Sequence, residues 1–427
     1  MFREALPLSM FVYVNGKKIF FNIFNRKLYL IRYSLYMFSE IKNIFSILLS
    51  VAFSSIGFIA AITVAALSVR EVSTNPYLVG FPNALGVGGA FVGTQIYDFL
   101  SKNYSRLIAL SNTFFIGGLG GVLLVFSLVA DSFLLLLVGA FVLGIGQSAT
   151  LQSRYAASYV ASENYKATAL SLAVWFSVFG SIFGPSLVGQ YSELFQERFN
   201  SELIVGYFLA AGGMIIAGLC IYLFSGKETK LKDTAITQKT SERITLDNNA
   251  KLLTKILVLN HFTMVVIMSA TPLHIQDIGE TIKLVGTIIS YHTLGMFLFS
   301  PILGNLVDRY GNKIFAFIGS FIMLLSCILS LFNTNILLLK IGLYLLGLGW
   351  NFTFIAISAA ISKYSIDNSI NLNIKSDSMV FLASSVAHLS LGITYILLGY
   401  TGLVTFGLFL SIYLIFSVRK FAKLTTN

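Results

Sequence analysis

Long apolar runs, separated by short polar segments, occupy most of this chain. A helix needs roughly 20 mostly apolar residues to cross a bilayer, and these runs are too long and too unalternating to be strands of a membrane barrel. The pattern predicts an all-α polytopic membrane protein with twelve transmembrane helices, near 44–67, 77–100, 107–130, 132–157, 167–191, 203–225, 254–273, 282–306, 314–332, 335–361, 378–399 and 401–418.

The composition supports lipid as the solvent for much of the chain. Hydrophobic residues make up 56% of the sequence and charged residues 11%, whereas soluble domains carry about 25% charged residues. So few charges cannot coat a water-exposed surface of this size.

The net charge of +11 follows membrane topology rather than a nucleic-acid partner. With a cytoplasmic amino terminus, all but four of the 29 Lys and Arg residues fall on the cytoplasmic side; the four exceptions are Arg70, Arg198, Lys283 and Lys340. Cytoplasmic loops carry such an excess. We therefore expect a multi-pass protein of the plasma membrane with both termini in the cytoplasm, and no nucleic-acid binding.

The chain divides into two related blocks. The long polar stretch 227–250 predicts a cytoplasmic linker between six-helix bundles at 43–226 and 251–427. The glycine run that begins at Gly139 recurs at Gly342, and the matches continue at a constant offset of 203 residues to Thr150 and Thr353. We interpret this as a parallel duplication, with the binding site expected between the two halves.

Residues 1–42 form a basic, aromatic segment without a small-residue cleavage site, so it is not a secretory signal. We expect it to be cytoplasmic. Two interpretations stay open: an amphipathic helix on the inner leaflet, or an upstream translation start with Met37 as the true beginning.

The sharpest local motif joins predicted helices 8 and 9: Gly304, Asp308, Arg309, Gly311 and Lys313. Gly304 suits close helix approach and Gly311 a tight turn, while Asp308 can pair with a base or a helix amino terminus. This run resembles a loop signature of the major facilitator superfamily. The resemblance implies a latch that stabilises the outward-facing state. An eroded copy after helix 2 retains Lys102 and Arg106, with Asp98 nearby.

Small residues in helix 5 form a second motif: Gly180, Gly184, Pro185 and Gly189. Their spacing permits close helix packing, and Pro185 can bend the helix. The run resembles a motif of exporters in the same superfamily, and residues 45–418 resemble a prokaryotic, drug/proton antiporter-like subgroup. The resemblance favours efflux, whereas packing alone is the simpler explanation.

Ionisable residues inside membrane helices are candidates for ion coupling. All 18 acidic residues fall at helix ends, in loops or in the amino-terminal segment, which leaves histidines. His292, His388 and His261 are the proton-coupling candidates, because imidazole titrates near neutral pH; interhelical hydrogen bonding is the alternative role for each. Arg154 is a candidate for an inner gate.

The resemblance implies that helices 2, 4, 5 and 10 face a central cavity. The candidate substrate-lining residues on them are Asn83, Gln147, Gln152, Trp175, Trp350 and Asn351. A cavity with few fixed charges favours neutral or amphipathic solutes.

The resulting hypothesis is a secondary transporter that works by alternating access, with efflux favoured and proton coupling as an option. A facilitative uniporter or uptake permease, and a non-transporting sensor, are the alternatives. Neither a phosphate-binding G-x-x-x-x-G-K-[ST] run nor an H-E-x-x-H run occurs, so we expect no enzyme and no cofactor. The expected partners are a small-molecule substrate, membrane lipid and protons, and we expect a monomer.

Overall fold

A helical membrane protein is what the computed structural model contains; it describes residues 9–14, 17–162, 166–225, 247–367 and 372–424. Within these residues a short antiparallel hairpin, β1 (Ser9–Val14) and β2 (Lys17–Asn22), precedes thirteen helices. They are α1 (Ile23–Val72), α2 (Phe81–Asn103), α3 (Arg106–Val129), α4 (Phe133–Val160), α5 (Lys166–Trp175), α6 (Ser177–Phe199), α7 (Ile204–Phe224), α8 (Asn248–Asp277), α9 (Ile282–Phe297), α10 (Ser300–Tyr310), α11 (Asn312–Ser330), α12 (Ile336–Asp367) and α13 (Leu372–Leu424).

These helices account for the twelve predicted spans. The fifth span is α5 plus α6, and the eighth is α9 plus α10. The last two spans are the halves of α13, which Gly399 breaks with a left-handed φ of 63°; glycine adopts this conformation without a steric penalty. In the described chain ten helices are long and apolar enough to cross a membrane, with α13 counted once. The all-α, multi-pass fold is confirmed.

Three local expectations change. The fifth span breaks at Phe176 and stays helical through Pro185, where a bend was expected. Helix α1 runs without interruption from Ile23, so the segment 1–42 does not end at an element boundary. Most of the predicted linker, 226–246, lies outside the described residues, and α8 already begins at Asn248.

The first turn of α8 is capped by Asp247, whose carboxylate accepts a hydrogen bond from the Ala250 N–H at 2.7 Å. This bond satisfies one of the free N–H groups of the helix amino terminus. The same bond, aided by the Tyr364 hydroxyl, holds the pKa of Asp247 below its usual value. A sequence position assigned to the linker therefore fixes the start of the second bundle.

The duplicated glycines have equivalent packing roles in the two bundles, α1–α7 and α8–α13. A β-carbon added at Gly144 of α4 would overlap the carbonyl oxygen of Gly86 on α2. At the matching position of α12, a β-carbon on Gly347 would overlap the carbonyl oxygen of His292 on α9. Both glycines thus let the fourth helix of a bundle touch the backbone of its second.

A second matched pair faces the third helix of each bundle. Gly146 of α4 packs on the backbone of Gly117 in α3, and Gly349 of α12 packs on the backbone of Gly319 in α11. Small residues let membrane helices approach closely and gain van der Waals contact, since lipid supplies no hydrophobic force between helices. The repeat seen in the sequence is therefore a repeat of packing.

The two bundles meet tightly at one end, here called the Asp277 end, where α8 finishes. A β-carbon at Gly286 of α9 would overlap the Pro185 carbonyl oxygen of α6, and one at Gly189 of α6 would lie 2.8 Å from the Lys283 Cα. Next to these contacts the hydroxyls of Ser186 and Ser290 lie 3.2 Å apart. Close backbone contact therefore seals α6 against α9.

A second seal at the same end joins α2 to α13. A β-carbon at Gly80 would overlap the carbonyl oxygen of His388, and one at Gly392 would overlap that of Tyr77. The ends of two bundles therefore fit together through glycine on both sides.

Toward the opposite end, called the Gly311 end after the residue that joins α10 to α11, the α6–α9 faces part. Phe179 and Phe183 share a helix face with Ser186, at i, i+4 and i+7. Ser186 contacts α9, but Phe183 is 45% exposed and Phe179 37% exposed. At this end α10 does contact α5. The bundles are thus closed at the Asp277 end and diverge toward the Gly311 end.

We predict that Gly144→Ala destabilises the protein by about 1–3 kcal/mol, because the added methyl forces apart two packed backbones. A thermal unfolding curve in detergent, followed by thiol exposure of buried Cys220 and Cys327, measures the effect. Gly212→Ala on α7 is the matched control, since its added β-carbon meets nothing within 4 Å. Equal melting temperatures for the two variants would contradict the packing role.

Candidate functional site

The candidate site lies where α4 and α12, equivalent helices of the two bundles, carry Gln147 and Trp350. These residues are separated by the same 203-residue offset that relates Gly139 to Gly342. Each therefore occupies the same place in its own bundle. Two of the predicted lining residues are thereby related by the duplication.

On the second bundle the site is an aromatic and amide cluster. The Trp350 indole N–H donates to Nδ1 of His261 on α8 at 3.1 Å. The Asn260 amide donates to the Trp350 carbonyl oxygen at 3.1 Å, and the Trp350 ring stacks on Phe354 with centroids 4.6 Å apart. We call Asn260, His261, Trp350 and Phe354 the Trp350 cluster. It fixes the indole between α8 and α12.

Asn351 ties this cluster to the break between α9 and α10. Its Oδ1 accepts a hydrogen bond from the Ser300 hydroxyl at 3.2 Å. Its Nδ2 is buried, and neither it nor Oδ1 of Asn260 has a hydrogen-bond partner within the described residues. Two amide groups therefore keep hydrogen-bonding capacity in reserve, which costs free energy in an apolar interior.

On the first bundle Gln147, Thr150 and Arg154 form a stripe along α4, at i, i+3 and i+7. The Thr150 hydroxyl donates to Ser54 of α1 at 3.0 Å, so the stripe faces α1. Oε1 of Gln147 and Nε of Arg154 are buried and lack a partner in the described chain. The stripe thus presents one amide and one guanidinium group.

Three predicted lining residues lie away from these groups. Gln152 is about 140° around α4 from Gln147, since each residue turns the helix by about 100°. Asn83 lies in the first turn of α2, at the Asp277 end. Trp175 ends α5 and packs edge-on against Phe176 at 6.0 Å. The structure therefore does not bring these three together with the Trp350 cluster.

The histidines have different surroundings. Nδ1 of His292, fully buried, lies 2.9 Å from the carbonyl oxygen of Leu343 in the same bundle, and its Nε2 is unpartnered in the described chain. Nδ1 of His388 lies 3.1 Å from the Ser269 hydroxyl. The backbone of His388 also contacts Gly80 across the bundle interface. Of the candidates, His388 thus lies directly at the seal between bundles.

The latch residues lie at the turn between α10 and α11. Gly311 has a φ of 88°, so the turn requires glycine. Lys313 donates to the carbonyl oxygen of Ala422 at 3.1 Å. Asp308 is exposed and forms no hydrogen bond or ion pair with any described residue, and an added β-carbon at Gly304 would meet nothing within 4 Å. The close approach expected at Gly304 is therefore not made in this conformation.

The eroded copy of the latch holds its charges inside the first bundle. Asp98 forms an ion pair with Lys102 one turn later on α2, and the Arg106 guanidinium lies 3.8 Å from the ring centre of Tyr159. Arg154, on the other hand, acts electrostatically on Asp377 of α13. Arg154 is therefore the candidate gate residue that reaches between bundles at the Gly311 end.

The sequence did not reveal an ion pair that closes the opposite end. Arg70 of α1 binds Asp277 of α8 with N–O distances of 2.7 and 3.3 Å and also donates to Gln276 at 2.7 Å. The Tyr395 hydroxyl of α13 donates to the same carboxylate at 2.7 Å. A signal was available: Arg70 is one of the few basic residues assigned to the outer side, where a charge needs a specific partner.

Comparisons with known proteins agree with this architecture. The sequence matches the Major Facilitator Superfamily over residues 44–369. It is 31% identical to YdeG, an uncharacterized transporter of this type from Bacillus subtilis, over 75% of this chain and 77% of that protein. The riboflavin transporter RfnT of Brucella anthropi is 25% identical, over 70% of this chain and 75% of its own length.

Solved structures share the fold. The xylose transporter XylE from E. coli superposes with a TM-score of 0.62 at 16% identity, covering 87% of this chain and 96% of its own. The family match spans most of the chain, and the relatives are transporters rather than enzymes. This chain belongs to the major facilitator superfamily of membrane transporters.

Proposed function

We propose that the protein is a secondary active transporter that exports a small, neutral and amphipathic solute by alternating access. The observation that carries this proposal is the one-ended closure of the bundle interface. Backbone contacts and the Arg70–Asp277 ion pair seal one end, while Phe179 and Phe183 are exposed toward the other. Rocking of two bundles about a central site requires such seals to form and break alternately.

The proposed orientation places the Gly311 end in the cytoplasm. Lys102, Arg106, Arg309 and Lys313 lie at this end, and a cytoplasmic excess of basic residues orients membrane proteins. The conformation is then inward-facing. The unpaired Asp308 supports this assignment, since a latch of the outward-facing state is released when the protein faces inward. We further propose a monomer in the plasma membrane.

The proposed substrate is uncharged and aromatic. The Trp350 cluster offers stacked aromatic surface, and Gln147, Asn260 and Asn351 offer unpaired amide groups. Aromatic walls with a few fixed polar groups are typical of small-molecule sites. The relative RfnT is named for riboflavin, a planar solute, which makes flavins a reasonable first test.

The proposed coupling ion is the proton, and His388 is the favoured carrier. Opening the Asp277 end separates α2 from α13, which changes the surroundings of a histidine whose backbone contacts Gly80. A group whose proton affinity changes with conformation can couple proton release to solute movement. Efflux is the favoured direction because the α6 glycines resemble the exporter motif.

We predict that purified protein in proteoliposomes accumulates neutral aromatic solutes when the vesicle interior is acidified. Riboflavin, amphipathic drugs, sugars and organic acids form the panel, and protein-free vesicles are the control. Accumulation that collapses with the pH gradient supports proton antiport. Equilibration without accumulation would instead identify a facilitative uniporter or uptake permease. Binding of a solute without any flux would favour the sensor alternative.

We predict that His388→Gln abolishes accumulation driven by the pH gradient but retains solute equilibration, because only proton coupling is lost. His261→Ala is the matched comparison. It removes one hydrogen bond to Trp350, worth about 1 kcal/mol, so it weakens solute binding roughly five- to tenfold and leaves the response to pH. Flux assays with and without the gradient measure both. Unchanged coupling in His388→Gln would refute the assigned role.

We predict that Arg70→Glu makes the Asp277 end open more often, because like charges replace the ion pair. The labelling rate of Ser290→Cys by an impermeant maleimide measures opening, since Ser290 lies in the seal. A partly exposed pair contributes on the order of 1 kcal/mol or less, so the rate rises less than about tenfold.

Two further variants test this assignment. Arg70→Asp combined with Asp277→Arg should restore slow labelling. Lys340→Glu is the control, since it reverses a charge at the same end that forms no ion pair with any described residue. Faster labelling in Lys340→Glu, or no restoration by the exchange, would contradict the gate.

A further inference from the structure

A continuous groove runs along the outer surface of the second bundle, between α11 and α13. Its wide part, of about 470 Å³, begins at the Gly311 end and lies between Phe317 of α11 and Phe416 of α13. A narrower part, of about 330 Å³, continues along α11 to Phe321 and Leu325. Phe317 and Ile318 line both parts, so the two form one groove.

The length of this groove matches one leaflet of a bilayer. Ile314, Phe317, Ile318, Phe321 and Leu325 lie on one face of α11. The rise from Ile314 to Leu325 is about 16 Å at 1.5 Å per residue. The hydrocarbon core of a bilayer is roughly 30 Å thick. The apolar floor therefore reaches from one headgroup layer to about the midplane, which is the depth of a single acyl chain.

Two cations stand at the headgroup end of the groove. Lys313 and Arg419 both line its wide part, from α11 and α13 respectively. The Lys313 ammonium donates to the Ala422 carbonyl oxygen, one turn beyond Arg419 on α13, so the two basic side chains lie on either side of the same opening. Below them the lining is aromatic and aliphatic as far as Leu325.

We propose that this groove binds one anionic phospholipid, with its phosphate between Lys313 and Arg419 and one acyl chain along α11. Basic pockets between membrane helices at the cytoplasmic surface attract anionic headgroups, and the charge and length of the groove fit a lipid together. Lys313 also belongs to the turn that joins α10 to α11. The bound lipid therefore contacts the latch turn from its outer side.

The test is native mass spectrometry of the protein released from nanodiscs made of equal parts phosphatidylglycerol and phosphatidylcholine. The unaltered protein is expected to retain phosphatidylglycerol in preference to phosphatidylcholine. Arg419→Gln should lower this retention about fivefold, the effect of one basic residue near an anionic headgroup. Arg419 is exposed and lies outside the latch motif, so the variant is expected to fold.

A matched control separates this site from general attraction to anionic lipid. Lys420→Gln removes an equal charge from the next residue, which is exposed and does not line the groove, and retention should then be unchanged. Ile318→Trp keeps both cations but fills the groove, and it should also release the lipid. Equal losses in Arg419→Gln and Lys420→Gln would overturn the proposal, as would full retention in Ile318→Trp. The readout does not depend on transport.

Discussion

The fold depends on helix backbones that come into direct contact at glycine. In lipid the tails are as apolar as the side chains, so helices gain nothing by hiding leucine from their surroundings. What remains is dispersion between closely packed atoms, which fades within about an ångström of extra separation. Gly144, Gly146, Gly347 and Gly349 each remove the side chain that would cause this separation. Duplication preserved these positions as a set, and each bundle is consequently held together by the same crossings.

The same kind of contact behaves differently between bundles. Within a bundle many helices cross, so no single crossing can open alone. Between bundles, α6 meets α9 and α2 meets α13 at the Asp277 end through a few glycine positions, including Gly286 and Gly80. Such a seal has little free energy of its own, and the partly exposed Arg70–Asp277 pair adds little more. A weak, well-fitted seal is what two conformations of similar free energy require.

The sequence predicted what depends on local pattern. Apolar runs located the spans, a constant offset found the paired glycines, and the charge asymmetry supplied an orientation. It missed contacts between distant residues: Arg70 and Asp277 are 207 positions apart, and nothing in either neighbourhood specifies the other. The break at Phe176 was also missed, because Pro185 was the stronger local signal and yet the helix passes through it. Similarly, no helical period distinguishes Trp350, which binds His261, from Gln152, which lies off the stripe.

Unpaired polar atoms at the centre give the fold its functional asymmetry. Buried amides and imidazoles cost free energy when they lack partners, and membrane proteins rarely carry them without a role. Gln147 and Asn351 are buried in this way on opposite bundles, while nearby hydroxyls such as Thr150 and Ser300 already have partners. A solute that hydrogen-bonds to both bundles would relieve this cost on each side at once. Relief is greatest when the bundles enclose the solute, so the binding energy itself favours passage through an occluded state.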